Sequence, residues 1–207
     1  MATNQFSLSF LLAVFFLLLT STSSRTTLSP SSASSGGATT RSTTVLHPTE
    51  LVDGVCNQTS DYSFCVKSLY ADPRTPSADS YGLAFVVFGM SYLNASSTQD
   101  LIANLSKNAK RSGGGGSGHN QPLLLTRLQR CGQDYKKAVS ALEMAYNDLN
   151  SETFFELADM ARVAASSAED CQAGFEKSKS PLTARNRELK GLCEICVVVS
   201  KLFTGGT

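Results

Sequence analysis

The stretch from Leu124 to Phe175 decides the fold: LLTRLQRCGQDYKKAVSALEMAYNDLNSETFFELADMARVAASSAEDCQAGF. Its first half carries apolar residues alternately four and three positions apart, which is the seam of an amphipathic helix. These residues are Leu124, Leu128, Cys131, Tyr135, Ala138, Leu142, Ala145 and Leu149. After the polar break NSET the same spacing returns at Phe154, Leu157, Ala161, Ala164, Ala168, Cys171 and Phe175. The short break predicts that two long helices pack side by side and antiparallel.

The two cysteines inside this pair of helices are placed to meet. Cys131 lies twenty residues before Ser151, at the middle of the break, and Cys171 lies twenty residues after it. At a rise of about 1.5 Å per residue, both lie roughly 30 Å from the turn and on the inward seam. Although six cysteines allow many pairings, this geometry selects a disulfide between Cys131 and Cys171.

Two of the remaining cysteines lie close together near the start of the predicted domain. Cys56 and Cys65 are separated by NQTSDYSF, which contains turn residues, so their pairing is the natural second disulfide. The chain-entropy model gives roughly 2.7 kcal/mol for this short loop and roughly 4 kcal/mol for the loop between Cys131 and Cys171. We therefore expect the long loop to contribute more stability and the short one to fix the direction of the N-terminal segment.

The last two cysteines, Cys193 and Cys196, form a C-x-x-C pair inside an apolar helical pattern. A thioredoxin-type site needs a preceding strand and a βαβ context, neither of which is present here. A zinc site needs four ligands, and the two histidines, His47 and His119, fall in low-complexity segments. Both thiols are therefore predicted to be free and buried, in the role of small apolar residues.

Two further helices complete the predicted architecture. One begins near Ser77 or Asp79, either of which can cap it, and continues to about residue 111. Its apolar face is predicted to comprise Leu83, Val86, Met90, Leu93, Leu101 and Leu105. The other is capped by Ser180, with Pro181 in its first turn, and places Leu182, Leu189, Leu192, Cys196, Val199 and Phe203 at heptad spacing. The sequence thus predicts an all-α protein, an up-and-down four-helix bundle with an N-terminal extension and two disulfides.

The N-terminal region indicates secretion. Residues 1–24 contain the uncharged run FSLSFLLAVFFLLLT followed by small residues, as in a cleaved signal peptide, although a basic n-region is missing. Residues 25–46 are rich in Ser and Thr and are predicted to be a flexible linker. The glycine-rich segment SGGGGSGHNQP is predicted to be a flexible connection, since no Lys-Ser or Lys-Thr follows it as in a phosphate loop. Sequons at Asn57, Asn94 and Asn104 are candidate glycosylation sites.

Composition argues against several classes of function. The formal net charge is +1 with both signs interspersed, so there is no electrostatic footprint for nucleic acid or for an anionic membrane. No metalloprotease, nucleophile-elbow, Walker or paired-carboxylate pattern is present. We expect a secreted helical protein without a cofactor that acts by binding rather than by catalysis.

Several motifs together resemble the plant invertase and pectin methylesterase inhibitor family. They are YSFCVKSLYADPRTPSADSYGL, the C-x8-C and C-x39-C cysteine pairs, CQAGF after the second pair, and the late SPLTARNRELKGLCEI. The resemblance covers about residues 47–204. It implies a four-helix bundle with an N-terminal helical hairpin, the same two disulfides, no cofactor, and non-covalent inhibition of a cell-wall carbohydrate-active enzyme as partner.

The resemblance also implies two candidate partner-binding sites. In invertase inhibitors of the family the turn between the second and third bundle helices presents Pro-Lys-Phe, and here this turn contains Glu152, Thr153, Phe154 and Phe155. A carboxylate here would repel an acidic sugar site. Phe154 can alternatively belong to the helix seam rather than to a contact surface.

Pectin methylesterase inhibitors of the family use a face of the second and third helices. On that face this chain carries Lys137, Ser140 and Ala173 where acidic residues are usual. Each candidate site thus departs from the family pattern. Pectin methylesterase is slightly preferred as the target, invertase is the alternative, and a secreted binding module without inhibitory activity is the further alternative.

Overall fold

The computed structural model describes residues 48–112, 121–175 and 179–205, and all of their regular secondary structure is helical. Two short helices come first and are followed by a short 3-10 turn and four long helices. The helices are α1 (Glu50–Cys56), α2 (Tyr62–Leu69), α3 (Ser80–Ser112), α4 (Gln121–Asn150), α5 (Leu157–Ala173) and α6 (Thr183–Thr204), with the 3-10 turn at Thr75–Ser77. The predicted all-α class is confirmed.

The four long helices form an up-and-down bundle. Each packs against the next along the chain, and α6 returns to pack against α3. The pairs of contacting residues run in opposite directions along neighbouring helices: Phe85 contacts Tyr146 near one end of α3 and α4, and Ile102 approaches Gly132 towards the other. This arrangement is the one that short connections between consecutive helices favour.

The core follows the seams of α4, α5 and α6. Tyr135, Leu142 and Leu149 of α4 are fully buried, as are Leu157 and Cys171 of α5. Leu124, Phe154 and Phe203, at the ends of the predicted seams, are only partly buried and pack against this core. The periodicity therefore identified the core of these three helices correctly.

The predicted apolar face of α3 is wrong at Leu93, which is 67% exposed. The buried stripe of α3 instead passes through Ser91, Asn94 and Thr98, which a hydrophobicity pattern does not count as core. Ser91 Oγ donates to the Val87 carbonyl at 2.8 Å, and Thr98 Oγ1 donates to the Asn94 carbonyl at 2.8 Å. Because both hydroxyls are satisfied within their own helix, they can be buried at low cost, and α3 is rotated so that Leu93 faces outward.

Of the two predicted helix caps, the structure shows one, at the start of α3. Asp79 Oδ1 accepts from the Gly82 amide at 2.7 Å and caps α3, whereas Ser77 belongs to the preceding 3-10 turn. At the other predicted cap, Ser180 Oγ accepts from the Leu182 amide at 3.1 Å, but α6 begins only at Thr183. Ser180 therefore stabilises the turn before α6 and does not cap the helix itself.

The two short helices form a hairpin that packs against α6. The Thr49 amide donates to the Tyr70 hydroxyl at 2.8 Å and ties the start of α1 to the end of α2. Across to α6, the Ser60 amide and hydroxyl each donate to the Glu194 carboxylate at 2.7 Å. The N-terminal extension is thus a helical hairpin fixed to the bundle.

Several predictions concern residues outside the described ranges. They are the signal peptide at residues 1–24, the linker at residues 25–46 and most of the glycine-rich connection. Within the described ranges, no helix combines the length and the apolarity that crossing a bilayer requires.

Candidate partner-binding site

The turn between α4 and α5 has a defined backbone conformation. Glu152 adopts a left-handed φ of 54°, which is uncommon for a residue other than glycine. The next amide, that of Thr153, donates to the Asp148 carbonyl at 2.8 Å, and the Tyr81 hydroxyl donates to the Leu149 carbonyl at 2.7 Å. These bonds hold the last turn of α4 and direct the chain back towards the bundle.

The two phenylalanines after this turn have different environments. The Phe154 ring stacks on Phe203 of α6, with centroids 4.5 Å apart, and meets Tyr81 of α3 edge-on at 6.2 Å. Phe155, in contrast, is 85% exposed. Glu152 and Thr153 are also exposed. The turn therefore offers one free aromatic ring beside a carboxylate, while Phe154 closes the end of the bundle.

A shallow groove of about 590 Å³ runs along the surface between α4 and α5. Lys137 and Ser140, which the sequence placed in the candidate site, both line it. Two apolar side chains that sequence reasoning missed, Met144 and Val163, also line it and are 48% and 46% exposed. Both lie off the helix seams, and apolar residues outside a seam are the signal that would have identified them. The groove thus combines apolar contact area with positive charge.

Lys137 is anchored by a buried carboxylate on its own helix. Its Nζ lies 3.4 Å from Asp134 Oδ1, and the Asp134 side chain is only 7% exposed, whereas that of Lys137 is 65% exposed. The lysine head is thus held near the surface of α4 while remaining open to solvent. Ala173, the third predicted residue of this face, is exposed at the C-terminal end of α5 and does not line the groove.

Both predicted disulfides are present and hold the frame of these surfaces. Cys131 and Cys171 join α4 to α5 with Cα atoms 4.5 Å apart, and Cys56 and Cys65 join α1 to α2 at 5.5 Å. Beside the first bridge, the buried Tyr135 hydroxyl donates to Asn186 Oδ1 at 2.8 Å. Burial raises the pKa of Tyr135. The bridge and this hydrogen bond fix α4, α5 and α6 at one level of the bundle.

Cys193 and Cys196 are free and buried. Burial raises the pKa of Cys196 to about 12 and that of Cys193 well above its ordinary value. A redox-active C-x-x-C needs an exposed cysteine with a lowered pKa, so this pair has the properties of core residues. In the described part of the chain no three metal-binding side chains lie close enough to hold an ion.

The three sequons differ in accessibility. Asn57 and Asn104 are exposed, and the Asn57 amide donates to Asp53 Oδ2 at 3.0 Å. Asn94 is only 8% exposed, within the buried stripe of α3. In the folded chain Asn57 and Asn104 are therefore accessible at the surface, and Asn94 is not.

Comparison with known proteins identifies the family. The sequence profile of the plant invertase/pectin methylesterase inhibitor family matches residues 50–199, which is more than half of the chain. The chain belongs to this family. Its members inhibit enzymes and are not themselves enzymes.

Relatives of this chain within the family include proteins named as inhibitors of fructosidase and proteins named as inhibitors of pectinesterase. The chain is 34% identical over 163 residues to a cell wall/vacuolar inhibitor of fructosidase 2 from Arabidopsis thaliana, covering 75% of this chain and 82% of the relative. It is 28% identical over 158 residues to a pectinesterase inhibitor from Actinidia deliciosa, covering 75% and 80% respectively.

Solved structures show the same fold. A crystal structure of a pectin methylesterase inhibitor from Arabidopsis thaliana superposes with a TM-score of 0.53 at 20% identity, covering 74% of this chain and 95% of that one. A mutant form of such an inhibitor gives a TM-score of 0.59 at 21% identity, covering 72% and 93%. The helical bundle with its N-terminal hairpin is therefore the fold of this inhibitor family.

Proposed function

We propose that this protein is a secreted inhibitor that binds pectin methylesterase non-covalently in the plant cell wall through the groove between α4 and α5. The observation that carries the proposal is the exposure of Met144 and Val163 beside Lys137 and Ser140 on one accessible face. Exposed apolar side chains gathered at a surface mark interaction sites, and polar residues around them provide specificity. Ala173, exposed at the end of α5, lies outside this groove and is not needed for the proposed contact.

The second candidate is inhibition of invertase through the turn between α4 and α5. It is favoured by the 34% identity to a fructosidase inhibitor and by the 85% exposure of Phe155. Against it, Phe154 is engaged in the bundle, and Glu152 places a negative charge where an acidic sugar site would repel it. Only Phe155 and Thr153 remain to make favourable contacts.

One pair of variants separates the two surfaces. Replacing Met144 and Val163 with asparagine removes the apolar contact of the groove, and Phe155→Ala removes that of the turn. We expect the groove variant to inhibit pectin methylesterase about tenfold less well than wild type, as loss of central contacts in an interface does. The Phe155→Ala variant is expected to inhibit it as wild type does.

Both variants and the wild type would be assayed against purified pectin methylesterase and purified invertase, with melting temperatures as the control for folding. Inhibition of invertase that is lost in Phe155→Ala would support the second candidate, and failure of the wild type to inhibit pectin methylesterase would overturn the first. If wild type inhibits neither enzyme, the protein is a secreted binding module. We further propose glycosylation at Asn57 and Asn104, which an enzymatic deglycosylation shift on gels would test.

A further inference from the structure

A second and larger hollow lies on a different part of the molecule, between α2, α3 and α6. Its volume is about 1000 Å³, at the upper end of the range of roughly 300–1,000 Å³ that ligand pockets occupy. Phe64 of α2 with Met90 and Leu93 of α3 supply apolar side chains to its lining. Leu93, exposed to 67%, thus faces this hollow instead of the core.

The charges around this hollow are unequally engaged. Of its three carboxylates, Glu194 accepts two hydrogen bonds from Ser60, and Asp61 Oδ1 accepts from the Phe64 amide at the start of α2. The third, Glu188, is in no ion pair within the described residues. Lys190 is paired with Glu169 at 2.6 Å. In the described part of the chain no ion pair engages the three further lining cations, Lys67, Arg185 and Arg187. Positive charge is therefore left available at this hollow.

Unsatisfied hydrogen-bonding capacity also lies in its wall. Asn94 lines the hollow and is only 8% exposed, and its Oδ1 has no hydrogen-bond donor within the described residues. A buried amide oxygen without a donor is unfavourable, and native proteins rarely leave one. The hydroxyl-bearing residues Ser68 and Ser97 line the same hollow. Because the Asn94 oxygen is covered by the protein itself, the accessible polar groups of this wall are the two serine hydroxyls, which can hydrogen-bond to a ligand rich in hydroxyl groups.

We propose that this hollow binds an acidic oligosaccharide made of uronate sugars. Each uronate ring has a carboxylate that can pair with one of the three lining cations, Lys67, Arg185 and Arg187. Its hydroxyls can hydrogen-bond to Ser68 and Ser97, and its apolar C–H face can lie on the side chains of Phe64, Met90 and Leu93. The choice of galacturonate among uronates rests on the proposed function, because a methylesterase acting on pectin leaves free galacturonate carboxylates.

Isothermal titration calorimetry of the full secreted chain with tetragalacturonate tests this proposal without any target enzyme. We expect saturable binding that weakens as salt is added, and no binding of the fully methyl-esterified tetramer, which keeps the sugar rings but loses the charges. A tetraglutamate peptide of the same charge serves as the third arm. Equal binding of tetraglutamate would overturn the proposal in favour of an acidic-peptide site, and an absence of tetragalacturonate binding would overturn it outright.

Three variants locate the site. Lys67→Gln combined with Arg187→Gln removes two positive charges from the hollow and is expected to weaken tetragalacturonate binding by at least about tenfold. Lys136→Gln combined with Lys137→Gln removes the same charge from the α4–α5 groove and is expected to leave binding unchanged. Glu188→Gln removes a lining carboxylate that repels the ligand, so it is expected to tighten binding.

If both double variants weaken tetragalacturonate binding equally, the ligand is attracted by the overall positive charge and not by a site in the hollow, and the proposal is overturned. Inhibition of pectin methylesterase, measured separately on wild type, keeps the two hypotheses distinct. If the protein does not inhibit pectin methylesterase, the calorimetric result still decides whether the hollow binds the oligosaccharide. If it does not bind the oligosaccharide, the inhibition assay still decides the proposed function.

Discussion

At the residue scale, the adjacent phenylalanines 154 and 155 show how one position can serve the fold and the next a partner. Phe154 stacks on Phe203 and contacts Tyr81, so it joins α3, α6 and the turn at one end of the bundle. Among the described residues no aromatic ring stacks on Phe155, and its side chain is 85% exposed. Since the two side chains are identical, alanine substitutions at the two positions compare environment alone.

Phe154→Ala is expected to lower the free energy of unfolding by about 2 kcal/mol, less than the 3–5 kcal/mol typical of a fully buried phenylalanine because Phe154 is only partly buried. Phe155→Ala is expected to change it by less than about 0.5 kcal/mol. Urea denaturation monitored by circular dichroism measures both values. Equal losses of stability in the two variants would contradict the division of roles described above.

The residues that the sequence placed wrongly are those where short polar side chains replace apolar ones in the core. Ser91 and Thr98 are buried because their hydroxyls bond within α3, and this turns Leu93 outward into the second hollow. A pattern of hydrophobicity cannot register this compensation. In the candidate site, Lys137 and Ser140 were identified only through family resemblance. Met144 and Val163 were missed because attention stayed on the helix seams, although their apolar type at positions off the seam indicates an exposed apolar contact.

At the element scale, the N-terminal hairpin depends on tertiary contacts. Helices of seven and eight residues, such as α1 and α2, are too short to be stable alone. The Cys56–Cys65 disulfide joins them, and the Ser60 hydrogen bonds to Glu194 hold them to α6. For this reason local patterns predicted the long helices α4, α5 and α6, whereas the helical nature of the hairpin followed only from resemblance to the family.

Gly191 is where α6 accommodates the hairpin most closely. A Cβ added at this position would lie 2.6 Å from Phe64 Cε1, so Gly191→Ala must displace the phenyl ring of Phe64, which belongs to α2. Overpacking costs about 1–3 kcal/mol and alanine gains up to about 1 kcal/mol over glycine in a helix interior, so we expect the free energy of unfolding to fall by up to about 2 kcal/mol. Gly54→Ala in α1 is the matched control, because nothing lies within 4 Å of its added Cβ.

The control is expected to stabilise the protein by up to about 1 kcal/mol, because alanine favours a helix interior over glycine. Thermal unfolding of the two variants measures the difference. In addition, limited proteolysis is expected to cleave the hairpin of the Gly191→Ala variant faster than that of wild type. A Gly191→Ala variant as stable as Gly54→Ala would show that the hairpin is not packed against α6 at Phe64.

At the scale of the whole molecule, the two disulfides and the two free thiols affect stability in different ways. The disulfides connect α1 to α2 and α4 to α5, and by the chain-entropy model they contribute roughly 2.7 and 4 kcal/mol. The free thiols of Cys193 and Cys196 lie in α6, where its buried face meets the other helices of the bundle. Because these thiols are buried in neutral form, they make the stability of the whole bundle sensitive to alkaline pH.

The direction of this pH dependence follows from the raised pKa values. In the unfolded chain each thiol ionises near its ordinary pKa of 9.0, whereas burial raises the pKa of Cys196 in the folded protein to about 12 and raises that of Cys193 as well. Below pH 9.0 both states hold the protons and the stability is fully present. Above it the unfolded state loses protons that the folded state keeps, so the free energy of unfolding falls until the pH passes the folded pKa.

Between pH 8 and pH 10 ionisation of the unfolded Cys196 thiol is expected to lower the free energy of unfolding by on the order of 1 kcal/mol, and Cys193 adds a decline in the same direction. Replacing both Cys193 and Cys196 with alanine should lower the stability at pH 8 through the small cavities left behind, yet remove most of the further decline up to pH 10. Urea denaturation of both proteins at half-unit pH steps measures the two profiles, and contributions from lysine and tyrosine groups cancel in their difference. Profiles that fall in parallel would mean that the two thiols ionise as readily in the folded bundle as in the unfolded chain.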